Sequence, residues 1–134
     1  MPDKYFVLKL NAGIFYKYWI DYFHSLLLHN NYFPETNYTL VGFYKENGIL
    51  NACVKQPFVK TNEITNIEMV KSFMFNNGFS NNRFNDYVNE SKGIIIEDLH
   101  DENVLTKEGL LFFVDTVFYV KDKFWEHQTI IEVD

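Results

Sequence analysis

The apolar residues of this chain follow two periods, and the longer period predicts a helix in the first part of the sequence. Between residues 14 and 27 they come as adjacent pairs four residues apart, which places them along one wide face of an α-helix. The stripe consists of Ile14, Phe15, Tyr18, Trp19, Tyr22, Phe23, Leu26 and Leu27. Asn30-Asn31 and Pro34 are expected to end this helix.

A second helix and several strands are predicted from shorter signals. Thr65 and Glu68 match a capping box, and Asn77-Gly78 is typical of a helix end, so a helix is expected between them. The turns at Asn47-Gly48 and Lys107-Glu-Gly109 each separate two apolar runs, which predicts two β-hairpins. The predicted strands and extended segments are Lys4–Leu10, Tyr38–Tyr44, Ile49–Val54, Arg83–Val88, Gly93–Glu97, Val104–Leu105 and Leu110–Val114.

The order of these elements predicts the fold class. Helices and strands are interspersed without the regular strand–helix–strand alternation of a parallel sheet. The expected class is therefore α+β, with a small mixed or antiparallel sheet and two main helices. Pro57 is expected to end the pairing of the strand before it. The aromatic tail, residues 117–134, follows neither period.

Composition narrows the class of protein. A length of 134 residues suits one domain, 1–134, and an apolar content of 47% is enough to bury a core. The net charge of −6 argues against charge-driven binding to nucleic acid or to an anionic membrane surface. The single cysteine, Cys53, forms no internal disulfide, which favours the cytoplasm. No signal peptide is recognisable, and no run of about 18 apolar residues would span a membrane.

A dense polar loop follows the buried apolar run at Ile94 and is the most informative stretch for function. Asp98 and Asn103 lie in this loop, and Asp115 follows the strand Leu110–Val114. Three oxygen-bearing side chains from one loop and the next strand can converge on one point, which suits a hard cation that carries phosphates. The alternative is a polar loop in which Asp and Asn serve turn geometry alone.

The polar loop resembles the catalytic loop and the metal-binding segment of protein kinases. In kinases an Asp is followed after four residues by an Asn, and a hairpin then ends in Asp-Phe-Gly. Here Asp98 and Asn103 keep the spacing, while Ile96-Glu97 replaces the His-Arg before the first Asp. Thr116-Val117 replaces the Phe-Gly after the last one.

The wider sequence resembles one group more closely, the serine/threonine/tyrosine kinase-like domain found in polyvalent proteins of phages and mobile elements. The resemblance runs in order across nearly the whole chain. The matching stretches are Trp19, Leu26-Leu-Leu-His-Asn30, Phe33-Pro-Glu-Thr36, Leu40-Val-Gly-Phe43, Gln56-Pro-Phe-Val59, Gly78-Phe79, Asn85-Asp-Tyr87 and Asp98-Leu-His-Asp-Glu-Asn-Val-Leu105.

This resemblance implies the groups that would act on the phosphates. Asp98 would be the catalytic base that accepts the proton of a substrate hydroxyl. Asn103 and Asp115 would hold Mg²⁺ between the phosphates of ATP. His100 would stand where many kinases carry a lysine near the transferred phosphate. A histidine bonded to the neighbouring Asp101 is the alternative.

The resemblance also implies a nucleotide-binding set. Lys9 would contact the α- and β-phosphates, and Asp21 would be its acidic partner. Gln56 and Phe58 would lie at the hinge that meets the adenine. Judged by local sequence alone, Lys9 is an exposed lysine on an edge strand, and Asp21 pairs with Lys17 on the helix surface.

Several parts of a kinase have no counterpart in the sequence. Neither G-x-G-x-x-G nor Ala-Pro-Glu occurs, so the resemblance implies a kinase-like core truncated at both ends, without the Gly-rich loop and most of the helical lobe. We therefore expect a degenerate or minimal kinase-like domain, a catalytically impaired, pseudokinase-type binding protein of a phage or mobile element. One alternative is an active ATP- and Mg²⁺-dependent phosphotransferase that uses Asp98. The other is a non-enzymatic α+β interaction or structural subunit.

The remaining histidines and aromatic residues are assigned simpler roles. His24 and His29 are expected to be capping or surface residues, His127 lies alone in the tail, and Cys53 is expected to be an inert buried thiol. The aromatic stripe is most simply core. On a truncated domain, a second copy of the chain or a protein partner is the alternative cover for it.

Overall fold

Helices and antiparallel sheets make up the computed structural model, which describes residues 5–14 and 16–126. The predicted α+β class is confirmed, and the described part of the chain forms three separate antiparallel sheets instead of one. Lys4, Phe15, His127 and the end of the tail lie outside the described residues. Within the described ranges, none of the helices could span a membrane.

The first sheet contains three strands, β1 (Phe6–Asn11), β2 (Thr39–Glu46) and β3 (Ile49–Pro57), with β3 in the centre. The predicted hairpin between β2 and β3 is confirmed, and both turn residues, Asn47 and Gly48, have positive φ as this tight turn requires. Pro57 is the last residue of β3, as predicted. One face of the sheet exposes apolar side chains, among them Phe6, Leu8, Leu10 and Tyr44.

Helix α1 spans Trp19–Tyr32, so the prediction that it begins at residue 14 is wrong. The chain turns at Gly13, where φ is +70° and an added Cβ would lie 3.3 Å from the Trp19 ring. Because Tyr18 is also extended, the helix cannot begin earlier than Trp19. The predicted apolar stripe is only partly buried, since Leu27 is 66% exposed. The buried face carries Tyr22, Ser25 and His29 instead.

Helix α2 spans Ile67–Asn76 and ends at Asn77-Gly78 as predicted, but its start differs. The Asn66 side chain accepts the backbone N–H of Glu68 and is therefore the N-cap. The Thr65 hydroxyl instead donates to the Val104 carbonyl oxygen at 2.6 Å. The predicted capping box is wrong, because a buried tertiary hydrogen bond takes the Thr65 side chain.

The second sheet has the order β4 (Ser80–Arg83), β5 (Asp86–Asn89), β6 (Ile94–Glu97) and β9 (Val117–Val120). The segment Arg83–Val88 was expected to be one extended piece, and this is wrong. Phe84 has φ +48°, and the turn it forms with Asn85 separates β4 from β5.

The third sheet is the second predicted hairpin, β7 (Val104–Lys107) and β8 (Leu110–Phe113), which is confirmed together with its Glu108-Gly109 turn. A short helix α3 (Asp122–Glu126) follows β9. The main core joins α2 to the second and third sheets and to the end of α1. Its members are Phe33, Val70, Met74, Phe79, Tyr87, Ile94, Ile96, Leu99, Val104, Phe113 and Phe118. This core fixes the loops that follow β6 and β8.

Candidate functional site

A cavity of about 370 Å³ lies between the first sheet, α1 and the loops that follow β6 and β8. Five of the eight residues assigned to a site from the sequence line it. They are Lys9, Asp98, His100, Asn103 and Asp115. Because they come from β1 and from two loops far along the chain, their meeting is a property of the tertiary structure.

Lys9 and Asp115 face each other across one end of the cavity. The Lys9 ammonium forms an ion pair with Asp115 Oδ1 and donates to Gln56 Oε1 at 2.6 Å. It also lies 5.8 Å from the centroid of the Tyr38 ring. Although β1 is an edge strand, Lys9 points to the inner face of the sheet, and its side chain is only 28% exposed. The local interpretation of Lys9 as an exposed edge lysine therefore does not describe its position.

Asp98, His100 and Asn103 form the other end of the cavity through contacts within one loop. Asn103 Nδ2 donates to the Asp98 carbonyl oxygen at 2.9 Å and reaches Asp98 Oδ2 at 3.3 Å. His100 Nε2 lies 3.4 Å from Asp98 Oδ1, so the carboxylate beside this imidazole is Asp98 and not Asp101. His100 Nδ1 accepts the backbone N–H of Glu102 at 3.2 Å.

Both aspartates at the site have left-handed backbones. Asp98 has φ +72° and Asp115 has φ +52°. Aspartate tolerates this conformation better than most residues. The conformation is still less favourable in free energy than a right-handed one, so the surrounding contacts must stabilise it. At each of the two positions this backbone conformation occurs at an aspartate that lines the cavity.

Tyrosine side chains also line the cavity. Burial raises the pKa of Tyr22 to about 12, and burial, opposed by a hydrogen bond to Ser25, raises the pKa of Tyr16 to about 12. The pKa of Tyr38 is also raised, first by burial and then by the nearby Asp115 carboxylate. These phenols are neutral at physiological pH, so the charge of the cavity comes from its lysine and its carboxylates.

The remaining sequence candidates lie elsewhere or play a different part. Gln56 is fully buried, and its side chain bridges Lys9 and the Thr36 carbonyl oxygen. Phe58 is half exposed and lines a separate groove of about 820 Å³ on the other side of β3. Asp21, in the first turn of α1, lines a third cavity and not the one that contains Lys9.

Asn103 and Asp115 carry side-chain oxygen atoms of the kind that can bind a magnesium ion. Among the residues that the structure describes, no three His, Cys, Asp or Glu side chains cluster as a complete metal site. Magnesium is, however, commonly held by one or two side chains together with substrate phosphates and water. The Asn103 amide donates through Nδ2, which leaves its oxygen for a cation, and the Asp115 carboxylate is 54% exposed.

The sequence analysis missed a buried polar group beneath the Lys9–Asp115 end. His29 was expected at the surface or as a cap, and this is wrong, because it is fully buried. Its ring contacts the Thr116 hydroxyl at 2.5 Å and the Thr36 carbonyl oxygen at 2.9 Å. Burial lowers the pKa of His29 to about 4, although its bond to Thr36 opposes the shift. The sequence pattern that could have revealed this burial is the spacing of Tyr22, Ser25 and His29, which places the three residues on one helix face.

Comparison with known proteins assigns the family. A family model described as serine/threonine/tyrosine kinase found in polyvalent proteins matches residues 1–122. The chain belongs to this kinase family. No curated protein and no solved structure matches it. The matched range includes β1, both loops of the cavity and nearly all of the described chain, so the resemblance noted in the sequence is confirmed at the level of the family.

Proposed function

We propose that this member of the polyvalent-protein kinase family binds ATP with Mg²⁺ in the cavity between Lys9 and Asp98. The observation that carries the proposal is the meeting of Lys9, Asp98, Asn103 and Asp115 around one cavity large enough for a nucleotide's phosphates. These are the residue types that phosphoryl transfer requires: a cation for the phosphates, oxygen ligands for a metal ion and a carboxylate base.

The charge of the cavity supports a requirement for the metal. Among the residues that the structure describes, its lining carries the carboxylates of Asp98, Glu102 and Asp115 but a single ammonium, that of Lys9. A polyphosphate alone would meet net repulsion there, since like charges at short range raise the energy. A divalent cation supplies the neutralising charge, and Asn103 and Asp115 are the residues that would hold it.

Lys9 and Asp115 already form an ion pair, so their roles toward the nucleotide are coupled. When a phosphate approaches, the flexible ammonium can contact it while it keeps its bond to Gln56. The Asp115 carboxylate is then free to face the cation. The ion pair is exposed enough for this exchange to cost little, since exposed pairs contribute about 0–1 kcal/mol.

Asp98 is the residue that we assign as the base. Its carboxylate is 54% exposed and lines the cavity, so a substrate hydroxyl can reach it. Its position is held by Asn103 through the backbone carbonyl, which leaves the carboxylate only weakly engaged. A carboxylate so placed can accept the hydroxyl proton.

A second candidate function is nucleotide binding without transfer, as in a pseudokinase. One observation favours it. Lys9 pairs with Asp115 itself, whereas the acidic residue expected on α1, Asp21, lies in another cavity. The ammonium that should hold the phosphates is thus held by a residue that should hold the metal.

The experiment is calorimetric titration of the protein with ATP, with and without Mg²⁺. We expect binding that requires Mg²⁺ and that weakens by about 100-fold or more in Asp115→Asn, because a charged contact is lost. Asparagine keeps the left-handed backbone at this position accessible. Asp101→Asn, which removes an exposed carboxylate outside the cavity lining, is the matched control and should bind as the wild type does.

Binding that is independent of Mg²⁺ and of Asp115, or no heat at millimolar ATP, would contradict the proposal. Transfer is then measured separately, as release of ADP and labelling of added hydroxyl acceptors by γ-phosphate. Transfer that disappears in Asp98→Asn while binding persists supports the active kinase. Intact binding without transfer in the wild type supports the second candidate.

A further inference from the structure

The buried histidine of α1 lies directly beneath the proposed phosphate end of the cavity. His29 and Thr36 are both fully buried, and Thr116 is nearly so. Buried polar groups are stable only when their donors and acceptors are matched, so the bonds of this cluster can be assigned one by one.

The bond directions at His29 follow from the chemistry of its partners. The Thr36 carbonyl oxygen can only accept, so His29 Nε2 carries the proton and donates to it at 2.9 Å. His29 Nδ1 is then the acceptor, and the Thr116 hydroxyl donates to it at 2.5 Å. A neutral imidazole in this tautomer satisfies both contacts without leaving a donor or an acceptor unpaired.

The same pair of residues holds the chain on both sides of Asp115. The hydroxyl of Thr116, the residue after Asp115, is bound to His29. Two residues before Asp115, the backbone carbonyl oxygen of Phe113 accepts a hydrogen bond from the Thr36 hydroxyl at 2.5 Å. Between these two attachments Asp115 has φ +52°. A left-handed aspartate persists where surrounding contacts hold its backbone in place, and these two hydrogen bonds hold the chain on either side of Asp115.

The cluster also extends to Lys9. The Thr36 carbonyl oxygen accepts a second hydrogen bond, from Gln56 Nε2 at 2.8 Å, and Gln56 Oε1 accepts from Lys9 at 2.6 Å. Lys9 in turn pairs with Asp115, which adjoins Thr116. Together with the peptide bond that joins Asp115 to Thr116, these hydrogen bonds and the Lys9–Asp115 ion pair form a closed ring of contacts through the buried His29–Thr36 pair. We call this ring the His29 circuit.

We infer that His29 is a positioning residue, which sets the Asp115 turn through Thr116 and the Lys9 ammonium through Thr36 and Gln56. The consequence for nucleotide binding rests on the proposed function. The positions of Asp115 and Lys9 in the ligand-free protein do not depend on the proposed function, because the His29 circuit is complete without a ligand.

The test removes one hydroxyl without changing the shape of its side chain. Thr116→Val deletes the donor to His29, Thr116→Ser restores it, and Thr61→Val is the matched control. The Thr61 hydroxyl donates to the Thr106 carbonyl oxygen at 2.6 Å, outside the cavity lining. We expect Thr116→Val to weaken MgATP binding by about five- to tenfold, the effect of one net hydrogen bond. Thr116→Ser and Thr61→Val should bind within about twofold of the wild type.

A second readout uses the ligand-free protein. Long-range ¹H–¹⁵N NMR should show the His29 ring neutral and protonated at Nε2, with the signal assigned by its absence in His29→Gln. Thr116→Val should shift the Asp115 backbone amide and the Gln56 side-chain amide, and Thr61→Val should leave both in place. Unshifted signals in Thr116→Val, or a proton on Nδ1, would overturn the inference. If the wild type binds no MgATP, the proposed function fails, and these spectra alone decide on His29.

Discussion

The two ends of the cavity are built in opposite ways. Lys9 and Asp115 are held from beneath by His29, Thr36 and Gln56, each with no exposed surface. The Asp98 end is held mainly by contacts within its own loop, and its Asp98 and His100 side chains are 54% and 33% exposed, whereas Asn103 is buried. The first arrangement depends on how α1, β3 and the segment after β8 pack together. The second combines contacts within one loop with hydrogen bonds from the Asp98 and Leu99 backbone N–H groups to Asp86 and Asn85.

This difference indicates how each end tolerates change. Disturbing a buried polar cluster lowers stability, because each lost partner leaves a buried donor or acceptor that water cannot reach. An exposed loop can exchange its contacts for solvent at little cost. Changes in the buried residues beneath Lys9 and Asp115 should therefore alter both stability and ligand binding, whereas changes of Asp98 and His100 should leave stability nearly unchanged.

The largest expected effect compares two histidines, one from each end. His29→Ala should lower the free energy of unfolding by about 3 kcal/mol, because it leaves a cavity and a buried Thr116 hydroxyl without its hydrogen-bond partner. His100→Ala, whose side chain is 33% exposed, should change it by less than about 0.5 kcal/mol. Urea denaturation followed by circular dichroism measures both. Equal losses in the two variants would show that the ends do not differ.

The next effect is the pH dependence of stability. The pKa of His29 is lowered from 6.5 to about 4 in the folded chain, so the unfolded chain takes up the proton first as the pH is decreased. The contribution of neutral His29 is complete above pH 6.5 and is lost as the pH decreases toward 4. Between pH 7 and pH 5 this loss amounts to about 2 kcal/mol.

The matched variant for this pH effect is His29→Gln, which removes the titrating ring while the carboxylates remain. Urea denaturation of both proteins at several pH values isolates the histidine contribution as a difference. The wild type should lose stability more steeply than the variant over this range. Parallel curves would mean that His29 is not held neutral by burial.

The smallest expected effect concerns Asp98. Because its carboxylate is 54% exposed and its side-chain contacts are 3.3 to 3.4 Å long, Asp98→Asn should change the free energy of unfolding by less than about 0.5 kcal/mol. The variant keeps a side chain that tolerates the left-handed backbone. A loss of 2 kcal/mol or more in thermal or urea unfolding would make Asp98 a structural residue and remove the contrast between the two ends.

Local sequence determined the features whose causes lie within a few residues. The Asn47-Gly48 and Glu108-Gly109 turns, the end of α2 at Gly78 and the end of β3 at Pro57 were all predicted, because glycine and proline act on their own backbone. The spacing of Asp98 and Asn103 likewise indicated a polar loop, in which the structure joins them by a hydrogen bond.

Only the tertiary structure decided which polar groups are buried and which loops meet. The local sequence allows Thr65 to cap α2, but in the folded chain its hydroxyl donates to the Val104 carbonyl oxygen. His29 looked like a surface residue, but the helix face that turned inward was the one it shares with Ser25. Its bond to Thr116 joins residues 87 positions apart, and such a pairing depends on how whole elements pack, which no local pattern encodes. For the same reason the sequence supplied candidate residues for the site, and the fold brought five of them to one cavity.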